Sequence, residues 1–372
     1  MKPEIISIEK IDVAEVVERC ERALRQGKTL ALPTETVYGL AALVTDAEAV
    51  ARLCARKERR QGHALPLAVS GLNMAKEYVA NLPSVAERLA RRFWPGPLTL
   101  VVDSSQSEGK LKTLPEEVLR AVAPQNTCGF RTPQNDFLLR LINAVNVPLV
   151  LTSANISGRP PARSAQGAIE ALGDRVDLVV DGGVANFGTP STVVKLIGNE
   201  ISVLREGVLS TEIVQDAAIK TILFVCAANL CRSPVAEAIA RKLIADKLSV
   251  PPDKIEAHGI RVTSAGISAP TSRPAPPSVC RLARKLYNLD LGSHRSKGVD
   301  VSLVRCADHI FTMESAQRDA LRALYPEHAN RIVTLDPAGN DVFDPFGGTG
   351  REYRVCFKLV ESLIKARLDQ LL

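Results

Sequence analysis

The segment Cys226-Ala-Ala-Asn-Leu-Cys-Arg-Ser-Pro has residue types that can attack a phosphoryl group. It follows the apolar run TILFVC and precedes a helical pattern that begins at Ser233, so it forms a loop between a strand and a helix. Backbone N–H groups in such a loop have no intrahelical partner, and with the helix dipole they bind an anion of phosphate size. The planar guanidinium of Arg232 can hold two phosphate oxygens. The same positive potential favours the thiolate of Cys226 as the nucleophile, and Ser233 can donate a hydrogen bond to the departing thiolate.

Displacing an alkoxide or a phenolate from phosphorus also needs a proton donor. The segment DVFDPFGG at 341–348 offers two aspartates, Asp341 and Asp344. Pro345 forces Asp344 into an extended conformation, on a loop that can overhang the anion-binding loop. We favour Asp344 as the general acid because Pro345 and Phe346 would form a rigid, apolar rim, and Asp341 is the alternative.

Polar side chains in the first half of the chain collect at the ends of predicted strands. PTETVYGL at 33–40 follows the apolar run TLAL, and SANISG at 153–158 follows VPLVLT. Hydroxyl and amide groups at strand ends can bind a small polar ligand, and glycine lets the ligand approach the backbone closely. A basic group follows the helix predicted over 47–57, and it comprises Arg52, Arg56, Lys57, Arg59 and Arg60. Such a charge run is usually a solvated helix face, which we expect for all of these except Lys57 and Arg59.

The chain of 372 residues is longer than one hydrophobic core usually organises, so two domains are expected. In the first, helical patterns such as that over 12–27 alternate with apolar, β-branched runs, which predicts an α/β fold with a twisted sheet. The predicted strands are 29–33, 97–102, 147–153, 176–181, 191–196 and 201–205. A strand–loop–helix signature at 221 opens a βαβ unit, with the loop where open α/β sheets place their ligands. We therefore place the boundary between about 208 and 220, with domains over 1–212 and 218–372.

Composition narrows the class of protein further. Hydrophobic residues are 46% and charged residues 24%, which excludes a disordered, collagen-like or disulfide-scaffold chain. Aromatic residues are 4%, too few for a stacking platform for single-stranded nucleic acid, and the formal charge of +6 fits an anionic ligand. The eight cysteines include no CxxC pair, so we expect no metal site. MKPEIISIEK is not a signal peptide and no apolar run could span a bilayer, so we expect a cytoplasmic protein without membrane contact.

Five separated motifs occur in the second domain, and they are VCAANLCRSPVAEAIA (225–240), TSAG (263–266), DLGSHRS (290–296), ADHIFTM (307–313) and DPFGG (344–348). In this order they resemble the low-molecular-weight protein-tyrosine-phosphatase family. The resemblance implies a flavodoxin-like, doubly wound parallel sheet with a phosphate-binding loop. It also implies a phosphocysteine mechanism on a phosphorylated protein or a small phosphomonoester. In that mechanism Cys226 is the nucleophile, Arg232 the phosphate clamp and Asp344 the general acid. Asn229 shapes the loop and Ser233 supports the thiolate.

Three loop residues refine this resemblance. Glycine commonly precedes the asparagine in the family, and here Ala228 does; a positive φ there would cost alanine about 1 kcal/mol. Leu230 lies where an apolar branched residue accompanies phosphotyrosine and threonine accompanies phosphoarginine, which favours an aryl phosphate. Cys231 resembles the family's second loop cysteine, which can pair with the nucleophile and protect it from further oxidation.

Eight motifs occur across roughly residues 10–210, and they are PTETVYGL (33–40), KER (57–59), PLAV (66–69), WPGPLTLV (94–101), GFRTP (129–133), SANISG (153–158), STVV (191–194) and LREG (204–207). Together they closely resemble the threonylcarbamoyl-AMP synthase family. The resemblance implies that L-threonine, bicarbonate and ATP form L-threonylcarbamoyladenylate and pyrophosphate, with Mg²⁺ shielding the phosphates. This is the first step of the threonylcarbamoyladenosine modification of tRNA, so the implied partner is a downstream tRNA-modifying transfer complex.

The same resemblance implies the ligand contacts of the first domain. The positions that match threonine-binding residues are Thr34, Thr36, Arg131 and Ser191. Lys57 and Arg59 supply positive charge for the triphosphate and for the charge developing at the α-phosphorus. The other positions assigned to substrate or ATP are Thr99, Ser153, Asn155 and Arg205. Two departures bear on the substrate, because Ser70 stands where the family has a histidine and Arg163 where a small hydroxyl residue is usual.

The sequence therefore predicts a bifunctional enzyme, and it leaves alternatives for each domain. The first domain could instead be a nucleotide- or RNA-binding module without catalysis, using a concave basic face. The second could be a phosphate-binding pseudoenzyme or an arsenate reductase. An arsenate reductase relies on resolving cysteines a few residues apart, and Cys280 and Cys306 are not so arranged.

Overall fold

The computed structural model describes residues 3–57, 64–198 and 200–372. The chain divides into two compact units, Met1–Ala217 and Ala218–Leu372. Among the described residues, no helix combines the length and apolar character that spanning a bilayer requires.

The described residues of the first unit form a ten-stranded mixed sheet with helices packed against it. The strands are β1 (Glu4–Ser7), β2 (Leu30–Leu32), β3 (Gly39–Leu43), β4 (Leu67–Ala68), β5 (Leu98–Asp103), β6 (Thr127–Arg131), β7 (Leu149–Ser153), β8 (Leu178–Asp181), β9 (Thr192–Ile197) and β10 (Glu200–Arg205). Their spatial order is β1-β8-β2-β3-β7-β4-β6-β5-β9-β10. The helices are α1 (Val13–Arg25), α2 (Ala47–Arg56), α3 (Leu72–Tyr78), α4 (Ser84–Phe93), α5 (Glu116–Val122), α6 (Asp136–Val145), α7 (Ala165–Leu172) and α8 (Thr211–Ala218).

Helix α1 illustrates how the sequence pattern builds this unit. Asp12 caps the helix by accepting a hydrogen bond from the N–H of Ala14 at 3.1 Å. Apolar residues recur at helical spacing, so Val16, Cys20 and Leu24 are buried along one face. They join a core that also contains side chains of β2, β3, β7 and α6.

The six strands predicted in the first unit are confirmed, with ends shifted by at most two residues. The sequence pattern does not predict β1, β3, β4 and β6, which are short or contain glycine and alanine. Glycine and alanine have low β-propensity, and pairing on both sides overrides it in β3, β4 and β6. Strand β3, for example, is antiparallel to both β2 and β7.

The described residues of the second unit form a four-stranded, fully parallel sheet. Its strands are β11 (Lys220–Cys226), β12 (Ile260–Gly266), β13 (His309–Thr312) and β14 (Ile332–Thr334), in the order β12-β11-β13-β14. Its helices are α9 (Arg232–Leu248), α10 (Pro277–Tyr287), α11 (Val301–Cys306), α12 (Ser315–Leu324), α13 (Gly350–Ala366) and α14 (Leu368–Leu371). Helices α9 and α13 cover one face, and α11 and α12 cover the other. The predicted doubly wound fold is confirmed.

Strand β11 runs between β12 and β13 and is buried on both faces. Ile222 and Phe224 belong to one core, and Leu223 and Val225 belong to the other. This explains why the strand is a continuous apolar run. Because the strand ends at Cys226, the loop to α9 opens at the carboxyl edge of the sheet.

Candidate active sites

The loop after β11 is organised around Asn229. This residue is fully buried and adopts the left-handed conformation, with φ of 54°. Its N–H donates to Cys226 Sγ at 3.2 Å, and its Nδ2 donates to Ser233 Oγ and Ser264 Oγ, both at 2.9 Å. Its Oδ1 accepts from the N–H of Lys297 at 3.0 Å. Asparagine tolerates this backbone conformation better than most residues. The backbone of Asn229 therefore makes the turn, and its side chain fixes the loop through hydrogen bonds.

The predicted nucleophile and the predicted hydroxyl donor are in contact. Cys226 Sγ and Ser233 Oγ are 3.0 Å apart, and Cys226 is 3% exposed. A thiolate can only accept hydrogen bonds, so the hydroxyl of Ser233 and the N–H of Asn229 can both stabilise its charge. The geometry can therefore hold a sulfur anion at the base of the loop.

A hydrogen-bond network continues from this loop towards α9. Ser264 Oγ donates to Glu237 Oε2 at 2.7 Å, and Arg241 Nη2 donates to Glu237 Oε1 at 3.1 Å. Sequence reasoning missed Ser264 and Glu237 as supports of Asn229. The TSAG motif contains the serine, and Glu237 lies one turn beyond Ser233 on α9, so motif and helical spacing together could have indicated both.

Arg232 is the first residue of α9, and its side chain is 2% exposed. Nη1 pairs with Glu314 and donates to the carbonyl oxygen of Val342 at 2.9 Å, while Nη2 lies 2.5 Å from Asp344 Oδ2. A buried guanidinium needs such partners because desolvation of its charge is costly. The fold thus joins the predicted clamp and the predicted acid, which are 112 positions apart.

The two candidate acids have different surroundings. Asp341 Oδ1 accepts a hydrogen bond from the N–H of Ser315 at 2.6 Å, at the start of α12. Asp344 Oδ1 accepts from the N–H of Phe346 at 3.1 Å, and its other oxygen reaches Arg232. The side chain of Asp344 is 43% exposed. This geometry favours Asp344 as the acid and gives Asp341 a structural contact.

Close packing of the loop depends on Gly266, the last residue of β12. A Cβ at this position would lie 2.6 Å from the Ala227 carbonyl oxygen and 2.8 Å from the Asn229 nitrogen. Ala228 does not have a positive φ, so alanine there carries no left-handed strain. The position that must be glycine is therefore Gly266, where the backbone of β12 passes close to the backbone of the loop.

The other cysteines near this loop are buried thiols. Burial raises the pKa of Cys231 to about 11 and that of Cys356 to about 12. Both therefore stay protonated at neutral pH. All eight cysteines are free thiols in this structure.

A cavity of about 430 Å³ lies on one face of the first-unit sheet. Alternate residues of β5, β6 and β9 line it because successive side chains of a strand point to opposite faces. The register sets Thr99 beside Val193, and Val101 beside Gly129. The predicted ligand residues that line the cavity are Thr34, Thr36, Thr99, Arg131, Ser153, Ser191 and Arg205.

Two pairs of hydroxyl groups lie in this cavity. Thr34 Oγ1 and Thr36 Oγ1 are 2.9 Å apart, as are Thr99 Oγ1 and Ser191 Oγ. Arg205 Nη2 donates to the carbonyl oxygen of Ser191 at 2.7 Å, which holds the guanidinium beside the second pair. The cavity therefore presents hydroxyls next to a fixed positive charge.

Arg131 and Arg205 make the cavity suitable for an anion. Arg131 Nε donates to the Gly96 carbonyl oxygen at 3.2 Å, and its Nη2 lies 2.8 Å from Glu35 Oε1. Burial, and then the positive charge of Arg131, lower the pKa of Arg205. The described residues that line the cavity include no Asp or Glu, so a bound anion would relieve this repulsion.

Lys57 and Asn155 contact each other instead of lining the cavity. Lys57 is 2% exposed, and its Nζ donates to the Asn155 carbonyl oxygen at 3.0 Å, to Asn155 Oδ1 at 3.2 Å and to the Ser153 carbonyl oxygen. Neither residue is among the described lining residues. Arg59 lies outside the described residues. The ATP contacts of these three residues stay predictions.

Replacing Lys57 with methionine should lower the free energy of unfolding of the first unit by about 2–4 kcal/mol, because buried carbonyl oxygens lose their donor. Trp94, the only tryptophan of the chain, lies in this unit, so fluorescence during denaturant unfolding measures the change. Lys110→Met is the control, since the Lys110 side chain is 60% exposed and pairs only at the surface with Glu77. A change below about 0.5 kcal/mol for Lys57→Met would contradict this structural role.

The cavity also contains candidates that sequence reasoning missed, and they are Tyr38, Gln125, Thr152 and Lys195. Lys195 follows Ser191 and Val193 at strand spacing, so the alternation within STVVK could have indicated it. Ser70, which replaces the expected histidine, is not among the described lining residues.

Comparison with known proteins identifies the family of each unit. The Sua5/YciO/YrdC family model, described as "Telomere recombination", matches residues 22–207, which is half of the chain. The chain belongs to the Sua5/YciO/YrdC family. A second model, low molecular weight phosphotyrosine protein phosphatase, matches residues 221–372, and the second unit is a domain of that family. Both predicted resemblances are confirmed.

Two relatives of the Sua5/YciO/YrdC unit are named threonylcarbamoyl-AMP synthase, one of them as putative. The threonylcarbamoyl-AMP synthase of Pyrococcus abyssi is 35% identical over 189 residues, covering 51% of this chain and 53% of the relative. The putative threonylcarbamoyl-AMP synthase of Mycobacterium tuberculosis (strain CDC 1551) is 35% identical over 190 residues, covering 51% of this chain and 83% of the relative. The chain thus spans about half the length of the Pyrococcus relative.

The fold of this unit also has a solved counterpart. The crystal structure of P. abyssi Sua5 complexed with L-threonine aligns with a TM-score of 0.52 at 23% identity, covering 70% of this chain and 92% of that chain. This likeness supports the Sua5-type fold of the unit.

Proposed function

We propose that the Sua5/YciO/YrdC unit forms L-threonylcarbamoyladenylate from L-threonine, bicarbonate and ATP. The observation that carries the proposal is the cavity in which Arg131 and Arg205 lie beside hydroxyl groups without a lining carboxylate. A guanidinium can bind the carboxylate of an amino acid, and the hydroxyls can bond to its side chain. The names of the relatives support the same reaction.

In this reaction the amino nitrogen of threonine bonds to the carbon of bicarbonate and water leaves. An oxygen of the resulting carbamate then displaces pyrophosphate from the α-phosphorus of ATP. The cavity would act mainly by holding the reactants in position, with guanidinium charge stabilising the phosphoryl oxygens. We expect Mg²⁺ to be carried by the phosphate oxygens, because the described lining residues offer no carboxylate ligand. The product would pass to a tRNA-modifying transfer complex in the cytoplasm.

Exchange of labelled pyrophosphate into ATP tests this proposal with the full chain. We expect exchange only when L-threonine and bicarbonate are both present. Arg205→Met should lower the exchange rate, while Arg120→Met should not, since the Arg120 side chain is 67% exposed on α5. Exchange that does not require threonine would contradict the synthase proposal, and ATP binding without exchange would favour a nucleotide-binding module.

For the second unit we propose hydrolysis of phosphomonoesters through a phosphocysteine. Cys226 Sγ attacks phosphorus, the bond from phosphorus to the leaving oxygen breaks, and Asp344 gives that oxygen a proton. Water then attacks the phosphocysteine and gives its proton to Asp344, and inorganic phosphate leaves as the thiolate is restored. The contact between Arg232 and Asp344 carries this proposal, because it places the proposed general acid beside the phosphate-binding guanidinium in the loop that begins at Cys226.

Aromatic side chains flank the proposed acid. Phe343 and Phe346 are 41% and 72% exposed on either side of Asp344. Exposed rings can pack against an aryl group, so we propose that the second unit prefers aryl phosphates such as phosphotyrosine. The ratio of kcat/KM for matched phosphotyrosine and phosphoarginine peptides tests this preference, and faster turnover of the phosphoarginine peptide would contradict it.

A further inference from the structure

A basic segment follows β12 in the second unit. Residues 267–299 contain six lysines and arginines but only one acidic residue, Asp290. Strand β12 is the neighbour of β11 in the parallel sheet, and Gly266, its last residue, pairs with Cys226. The two chain segments therefore leave the sheet side by side at its carboxyl edge. The basic segment thus begins next to the loop that holds the proposed nucleophile.

Two arginines of this segment, Arg273 and Arg295, are held near that loop. The N–H of Ser296 donates to the Arg273 carbonyl oxygen at 2.8 Å, which ties the stretches around the two arginines together. His294, which precedes Arg295, forms a hydrogen bond of 2.8 Å from Nε2 to the Asn229 carbonyl oxygen. Both arginines therefore lie on the β12 side of the loop.

Neither arginine is neutralised by a neighbouring side chain. Both are exposed, and in the part of the chain that the structure describes neither pairs with a carboxylate. Arg295 Nη1 donates to the carbonyl oxygens of Gly292 and His294, at 3.1 and 2.7 Å, so its guanidinium is held in place with its charge uncompensated. Arg273 lies within PTSRPAPPS (270–278), where four prolines restrict the backbone. The segment therefore presents two positive charges on a restricted backbone.

The other side of the loop carries the opposite charge. Glu314 and Asp344 follow β13 and β14, which lie on the side of β11 away from β12, and both pair with Arg232. The exposed rings of Phe343 and Phe346 flank Asp344. The surface around the proposed phosphate site is thus basic on one side, and acidic and aromatic on the other. A substrate with negative charges beside its phosphorylated residue would be attracted by the basic side only.

We propose that Arg273 and Arg295 bind acidic residues next to the phosphorylated residue of a peptide whose phosphate enters the loop at Cys226. The proposal rests on the proposed phosphatase function and names its substrate class, an acidic phosphopeptide. Successive residues of an extended peptide are about 3.4 Å apart, so a carboxylate a few residues away can reach the segment. RNA is the less suitable partner, because the exposed rings on which bases could stack lie on the acidic side.

Steady-state hydrolysis by the full chain tests this proposal with three phosphotyrosine peptides of equal length. One has two glutamates before the phosphotyrosine, one has them after it, and the third has glutamine at all these positions. We expect kcat/KM for one acidic peptide to exceed that for the glutamine peptide by about 3–10-fold. The other acidic peptide should gain less than about 2-fold, because only one side of the loop is basic. Raising the salt concentration from about 0.05 to 0.5 M should reduce the gain, since exposed charges are screened.

Substitutions assign this preference to the two arginines. The double variant Arg273→Gln/Arg295→Gln should reduce the gain of the preferred acidic peptide to below about 2-fold, whereas Arg295→Lys keeps the charge and should keep most of the gain. Lys247→Gln is the control, because it removes one exposed positive charge at the far end of α9, about 22 Å from Arg232. Circular dichroism confirms folding. If the double variant does not fold, Arg273→Gln alone decides, and it should also lower the gain.

Two results would overturn the proposal, and they are equal kcat/KM for the three peptides and an acidic preference that persists in the double variant. If the acidic peptides have no advantage and an RNA oligonucleotide without terminal phosphate inhibits only the wild type, the two arginines bind nucleic acid instead.

A binding measurement separates this inference from the phosphatase function. Fluorescence anisotropy follows the binding of a labelled acidic peptide that has a phosphonate in place of the phosphate. If binding depends on the two arginines but the wild type does not hydrolyse p-nitrophenyl phosphate, the phosphatase function is wrong and this inference stands. If the wild type hydrolyses p-nitrophenyl phosphate and shows no preference among the peptides, this inference is wrong and the function stands.

Discussion

Cys226→Ser should lower the hydrolysis of p-nitrophenyl phosphate by at least about 10⁴-fold, because removing a covalent nucleophile removes the step that splits the reaction in two. Two groups of the loop contact Cys226 Sγ, the N–H of Asn229 at 3.2 Å and the hydroxyl of Ser233 at 3.0 Å. A serine hydroxyl at the same place is not ionised at neutral pH, so it is a far weaker nucleophile than a thiolate.

The matched control for this variant is Cys280→Ser. Cys280 lies on α10 outside the loop, and its thiol donates a long hydrogen bond, of 3.7 Å, to the Ala275 carbonyl oxygen. Initial rates at saturating substrate should stay within about 3-fold of the wild type for Cys280→Ser. Turnover by Cys226→Ser at the wild-type rate would show that another group is the nucleophile. Phosphate binding by the wild type without any turnover would make the second unit a pseudoenzyme.

Asp344→Asn should slow phosphorylation of the enzyme by about 10²–10⁴-fold for substrates with poor leaving groups, because asparagine cannot donate the proton. The loss should be smaller for p-nitrophenyl phosphate, whose phenolate leaves without much protonation. Single-turnover rates with phenyl phosphate and p-nitrophenyl phosphate measure this difference. Thermal unfolding should shift to a lower temperature, since the buried Arg232 loses one of its two carboxylate partners and keeps only Glu314.

Asp341→Asn provides the comparison for that experiment. Asp341 accepts a hydrogen bond from the N–H of Ser315, so its replacement should affect the stability near α12 and not the dependence on the leaving group. If Asp341→Asn shows the larger dependence on the leaving group, then the roles of the two aspartates are reversed.

Local chain features made much of the second unit predictable. The run TILFVC is apolar because β11 is buried on both faces, and the helix that follows starts at Arg232. Strand, loop and helix are contiguous, so the anion-binding geometry near Cys226 follows from short-range backbone preferences. In the first unit the apolar runs predict β5 and β9, which carry lining residues, but no apolar run predicts β6, which carries Arg131.

The sequence by itself determined the loop that holds Cys226, the two lining strands β5 and β9, and the families that these motifs resemble. Only the tertiary structure decided which groups neutralise the buried charges. Glu314 and Asp344 meet Arg232 from distant segments. Glu35, between β2 and β3, meets Arg131 at the end of β6, and Lys57 bonds to Asn155 instead of lining the cavity. Backbone propensity acts over a few residues, whereas the partner of a buried charge depends on which elements pack together and exclude water.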